Sequence, residues 1–114
     1  MEKFVQQTLL FDFYGELLTE HQQQIYEDVV CNDLSCSEVV AEHGVSRQGI
    51  HDLIKRCNRQ LEEYEGKLHL VEKFLGIQAK VQQVRQEVQQ ASEEGRMPDM
   101  QEIIRISDEI LEEL

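Results

Sequence analysis

The sequence predicts an all-α fold: one helix-turn-helix followed by a long C-terminal helical extension. Three observations carry this. The 114 residues hold one proline and no tryptophan. Leucine, valine, glutamine and glutamate dominate, a mixture that favours helix over sheet. Apolar residues recur at three- and four-residue steps, never in the strict alternation of a half-buried strand.

The elements follow in order. Residues 2–14 read as a first helix, with Phe4, Leu9 or Leu10 and Phe13 able to share a face and Gly15 placed to stop it. Thr19 stands where an N-cap belongs, ahead of a second helix over 20–31 striped by Ile25, Val29 and Val30. Asn32 and Asp33 break that helix, Leu34 plugs the space beneath, and Ser35 or Ser37 caps a third running to His43. Gly44 supplies the positive φ that a tight turn between helices demands. Val45 fills the gap, and Ser46 caps a fourth helix from Arg47 along Ile50, Leu53, Ile54, Cys57 and Leu61. Val39, Val40, Val45, Ile50 and Leu53 should contact only protein.

Beyond this the apolar rhythm continues through Ile50, Ile54, Cys57, Leu61, Tyr64, Leu68, Val71 and Leu75, alternating steps of four and three. A neighbouring stripe carries Phe74, Ile77, Val81, Val84, Val88 and Ala91. That spacing belongs to helices packed along helices. Gly66 predicts a bend, dividing a helix-turn-helix domain over 1–65 from a helical extension over 66–114; one continuous rod over 47–92 is the alternative. Residues 93–98 read as a loop, after which Asp99 caps a last helix through Leu114. Stripes this long need covering, and a homodimer through Leu61, Tyr64, Leu68, Val71, Leu75, Val81, Val84 and Val88 is expected to do it. Folding back of residues 99–114 would cover part of them instead.

Composition excludes much else. No stretch approaches the ~20 apolar residues of a membrane span, and the first residues lack a signal-peptide pattern, so a cytoplasmic protein without membrane association is expected. Cys31, Cys36 and Cys57 form no CxxC pair and read as buried free thiols; His21, His43, His51 and His69 show no metal-ligand spacing. No glycine-rich phosphate loop or catalytic ordering of Ser, His, Cys and Asp occurs, so neither enzyme nor cofactor is expected.

Charge is unevenly distributed. The chain carries −12 overall, which should keep it soluble and repel nucleic acid. Residues 1–35 carry −6 and residues 61–114 carry −7, whereas 47–60 carry +3 through Arg47, Lys55, Arg56 and Arg59 against Asp52. A recognition helix enters the major groove with its N-terminal residues at base edges. Ser46, Arg47, Gln48 and His51 occupy those turns: Ser46 could hold a phosphate, Arg47 read guanine or clamp phosphate, Gln48 read adenine and His51 contact either. Lys55, Arg56 and Arg59 would reach flanking phosphates, or else pair with Glu62 and Glu63. The glutamine-rich 78–90 segment and the acidic runs Glu62-Glu63, Glu93-Glu94 and Glu112-Glu113 read as solvated helix faces.

Leu18-Thr19 with Gln22, then Asp33-Leu34-Ser35, Glu38-Val39 and Gly44-Val45-Ser46-Arg47-Gln48 with Ile50, resemble the promoter-reading region four of bacterial sigma factors. With Leu17, Lys55-Arg56 and the helical tail, nearly the whole chain resembles the YlxM family of small bacterial helix-turn-helix proteins. The resemblance implies a DNA-binding regulator. It also implies a connection with the signal recognition particle, because family genes often lie beside the gene for its GTPase. Three residues depart from the sigma pattern: Val40 replaces alanine at the closest helix contact, His43 replaces leucine before the turn, and Gly49 replaces a better helix former.

Overall fold

A computed structural model describes residues 2–114, in which six α-helices occur and no strand. The helices are α1 (Lys3–Tyr14), α2 (Glu20–Tyr26), α3 (Cys36–His43), α4 (Arg47–Leu68), α5 (Leu70–Glu93) and α6 (Met100–Glu113). They divide into two compact units, one reaching Val71 and one from Glu72 to Leu114.

Local chemistry sets most boundaries of the first unit. Thr19 Oγ1 accepts from Gln22 N–H while the Gln22 side chain accepts from Thr19 N–H, a reciprocal capping box that starts α2. Of the two serines able to cap α3, Ser35 does so, its Oγ accepting from Glu38 N–H at 3.2 Å. Gly44 sits at φ 68°, the left-handed conformation the turn requires, and its N–H donates to Val40 O at 2.9 Å. The second helix is less regular than its pattern suggests. After Tyr26 it widens into a π turn over Glu27–Cys31, and Asp33 adopts φ 55° before Leu34.

In this unit α1, α2 and α3 all pack on α4. The helix-turn-helix core is Ile25, Val39 and Ile50, all buried, with Leu34, Val40, Val45 and Leu53 packed around them. A second cluster ties α1 to the rest. Phe11 stacks on Tyr26 with centroids 5.3 Å apart, and Tyr14 meets Tyr64 at 6.0 Å. Tyr26 is fully buried, and its hydroxyl donates to Asn58 Oδ1 at 2.6 Å, so no polar atom of the ring is left unpaired.

The bend expected at Gly66 is not there. α4 runs through Gly66 and ends at His69, which takes the left-handed conformation (φ 56°). Its cause lies far off in sequence. The Tyr14 hydroxyl donates to Glu65 Oε1 at 2.5 Å and accepts from Leu70 N–H at 3.1 Å; Val71 N–H donates to the same Glu65 oxygen at 2.9 Å. Side chains from α1 and α4 thus satisfy the first free amides of α5. Since Gly66 stands exposed in a helix interior with nothing within 4 Å of an added Cβ, Gly66→Ala should stabilise by about 0.5–1 kcal/mol. Gly49 differs: a Cβ there would meet Val45 Cγ1 at 2.9 Å and Ser46 Oγ at 3.1 Å. Gly49→Ala should show no such gain; thermal unfolding of both variants decides.

Two sequence expectations need correction. Leu61, fully buried, and Val71, 5% exposed, belong to the interior and cannot offer a face to another chain. Tyr64 is half-buried and engaged by Tyr14. Among the cysteines only Cys57 is buried; Cys31 and Cys36 are half-buried, and all three are free. Burial pushes the Cys57 thiol up to about 11, keeping it neutral and poorly nucleophilic.

The second unit is a hairpin. Lys80 of α5 pairs with Glu113 of α6. At the other end Glu87 Oε1 accepts from Arg96 Nη1 at 3.0 Å and from Asp99 N–H at 3.1 Å. These contacts, the amide first, hold the Glu87 carboxyl below the usual range. Asp99 caps α6 by accepting from Glu102 N–H at 3.2 Å, as its position before the helix predicts. Ala91 of α5 and Ile106 of α6 are buried, whereas Val81, Val88, Ile104 and Leu111 remain exposed.

Candidate nucleic-acid interface

The candidate interface is the outer surface of α4. Its apolar side, Ile50, Cys57 and Leu61, is buried, which turns the opposite side to solvent. Arg47, His51, Lys55 and Arg59 follow one another at four-residue intervals and are all exposed. At that spacing they form one stripe drifting slowly round the helix, with Gln48 beside it in the first turn.

The first turn is held firmly. Ser46 Oγ accepts from Gly49 N–H at 3.0 Å, so its lone pairs cap the helix while its O–H remains able to donate. Arg47 Nη2 donates to Ser37 Oγ at 3.3 Å, anchoring the guanidinium to the start of α3. Gln48 Nε2 donates to Asp52 Oδ1 at 3.1 Å, which fixes the amide and leaves its oxygen open. Gly49 explains itself here: the close approach of Val45 and Ser46 leaves no room for a Cβ.

Pairing of Lys55, Arg56 and Arg59 with Glu62 or Glu63 does not occur. Among the described residues no salt bridge involves Arg47, Lys55, Arg56 or Arg59. In the second unit, by contrast, Lys80, Arg96 and Arg105 each contact carboxylates. The cations of α4 are therefore available, while much of the tail's cationic charge is already neutralised locally.

One contributor was not legible in the sequence. Lys3, the lone cation of the acidic N-terminal segment, lines a groove of about 350 Å³ with Lys55 and Arg59 between α1 and α4. Nothing local marks it; only the packing of α1 on α4 brings it there. Asp52, on the exposed side close to Gln48, and Glu62, lining the same groove as Lys55 and Arg59, place carboxylates among these cations. Behind the turn, His43 Nε2 lies 2.9 Å from Asp28 Oδ2, which gives the histidine at the usual leucine position a polar partner. Glu42 brings a third possible metal-ligand atom within 4.8 Å of these two, although the His43–Asp28 contact accounts for two of the three.

The family described as "Putative helix-turn-helix protein, YlxM / p13 like" matches residues 1–103. The chain belongs to this family, UPF0122. Relatives include a UPF0122 protein of Thermoanaerobacter sp. (strain X514), 38% identical over 99% of this chain and 94% of its own length. Another, from Bacillus mycoides (strain KBAB4), is 42% identical over 82% of this chain and 88% of its own. In Malacoplasma penetrans (strain HF-2) the matching UPF0122 protein is 49% identical over 59% of this chain and 63% of its own. No solved structure matches. No helix among the described residues is long and apolar enough to cross a membrane.

Proposed function

We propose that this UPF0122 protein is a DNA-binding regulatory protein whose helix α4 enters the major groove. One observation carries the reading: Arg47, Lys55, Arg56 and Arg59 sit exposed on one capped helix, with no carboxylate partner among the described residues, in a protein that is acidic elsewhere. Leaving four cations unpaired beside abundant glutamate suits a surface that meets phosphates. In this reading Arg47 and Gln48 face base edges, Ser46 and His51 assist at the groove entrance, and Lys55, Arg56 and Arg59 meet the backbone. A dimer would set half-sites about 34–36 Å apart, or a multiple of that.

The test is selection of genomic duplex fragments at near-physiological salt with total RNA as competitor. A discrete site should emerge, and Arg47→Ala with Lys55→Ala should weaken binding by roughly 100-fold, at 1–3 kcal/mol per lost contact. Unchanged affinity in the double variant would overturn the reading.

A second reading is favoured by the net charge of −12. Here the helix-turn-helix is a scaffold, and the acidic helical surface binds a basic protein, or the protein binds RNA, within the signal recognition particle pathway. Enrichment of RNA over duplex, or capture of a basic protein that survives loss of Arg47 and Lys55, would support it over the first.

A further inference from the structure

The groove between α1 and α4 has polar walls. From α1 come Lys3, Gln6, Gln7 and Leu10; from α4 come Lys55, Asn58, Arg59 and Glu62. Each set follows the i, i+3, i+4, i+7 spacing, so each is one face of its helix. The two faces line a space of about 350 Å³. Facing stripes of packed helices are ordinarily apolar, yet here Leu10, 4% exposed, is the one apolar member. The single cation of residues 1–35 thus shares a groove with two of the cations of α4.

Like charges on both walls repel one another. Among the described residues Lys3, Lys55 and Arg59 form no salt bridge, although Glu62 follows Arg59 by one turn. The neighbouring amide is also set to donate. Asn58 Oδ1 accepts from the hydroxyl of the fully buried Tyr26 at 2.6 Å, which leaves the Asn58 NH2 group to serve the groove. Two ammonium groups, a guanidinium and an amide NH2 are a donor set for an oxyanion, and the mixture of lysine and arginine suits phosphate. The volume lies at the lower end of ligand sites, which begin at roughly 300 Å³, and admits a phosphate with a small remainder attached. Glu62 adds selectivity, because a carboxylate only accepts and repels an anion with no proton to give. Near neutral pH free phosphate and phosphate monoesters keep a proton in part, whereas sulfate and backbone diesters have none.

We propose that this groove binds the phosphate of a small phosphorylated molecule. Lys3, Lys55 and Arg59 surround its oxygens, Asn58 donates from the inner wall, and Glu62 accepts from its P–OH. The site stands independently of whether α4 reads DNA. On the DNA reading, the ligand and the DNA backbone compete for Lys55 and Arg59, and the phosphorylated molecule weakens DNA binding.

Titration of the full chain with inorganic phosphate at constant ionic strength, followed by amide NMR shifts, tests the site, with sulfate as the comparison ion. The shifts should gather at the groove residues and saturate. Lys3→Ala or Arg59→Ala should each weaken phosphate binding by about tenfold, as loss of a charge-assisted contact does. Lys67→Ala, at an exposed cation outside the groove, should leave it unchanged. Phosphate should bind more tightly than sulfate, and Glu62→Gln should erase that preference. All four side chains are exposed, so circular dichroism should show full helix content in every variant. Shifts that never saturate, or wild-type affinity in Lys3→Ala, would overturn the proposal. Sulfate bound as tightly as phosphate would overturn the choice of a free phosphate or monoester and leave the diester backbone of a nucleic acid as the source. Because the probe is inorganic phosphate, each result is read without reference to duplex binding.

Discussion

Ile50→Ala is expected to cost about 3 kcal/mol, within the range for burying a cavity where an isoleucine stood. Ile50 is 1% exposed and packs with Ile25 and Val39, themselves fully buried, so one side chain joins α2, α3 and α4. A domain this small holds only about 5–15 kcal/mol in total, so the loss is a large share. The lost contacts are those that hold α4 against α3, so on the proposed reading DNA affinity should fall although no residue proposed to face the groove changes. Urea unfolding followed by circular dichroism measures the effect. Leu53→Ala, at a half-buried position on the same helix, should cost clearly less. Equal costs for the two would show that Ile50 is not central to the helix-turn-helix.

Glu65→Ala should be the next most damaging change, at about 2–3 kcal/mol. Its Oε1 accepts from the Tyr14 hydroxyl and from Val71 N–H, and removing it strands two donors in a largely buried place. Tyr14, 1% exposed, cannot turn to water. Burial, and then the Glu65 carboxylate, push its phenol above the ordinary tyrosine range, so the hydroxyl stays protonated and able to donate. Because the folded-state value is raised, stability from this contact is present below the ordinary tyrosine range and falls as pH rises past it. Tyr14→Phe combined with Glu65→Ala should cost less than the two single changes together. Strict additivity would mean that the two residues act separately and that the junction at His69 is held by something else.

Much of the first unit was legible because its signals are local. A capping hydroxyl acts on an amide three residues on, and Gly44 answers a backbone angle at its own position. The buried stripe of α4 follows from 3.6-residue periodicity alone. The residues proposed to face the groove are the complement of that stripe, so their exposure could be anticipated as well. Gly66 misled for the same reason: a glycine lowers local helix propensity by about 1 kcal/mol, and propensity yields readily to tertiary contacts.

The amino-acid sequence by itself determined that the chain is helical, where its caps and its glycine turn lie, and that its one net-positive stretch falls on a single short segment, residues 47–60. Those properties depend on neighbours within a turn or two, and the chemistry of each residue suffices. Only the tertiary structure decided that α4 ends at His69, because the groups that end it come from Tyr14 and Glu65, fifty-one residues apart. It also withdrew Leu61 and Val71 from the outer surface and brought Lys3 beside Lys55 and Arg59. Each of these depends on which helix packs against which, and a one-dimensional pattern does not contain that pairing.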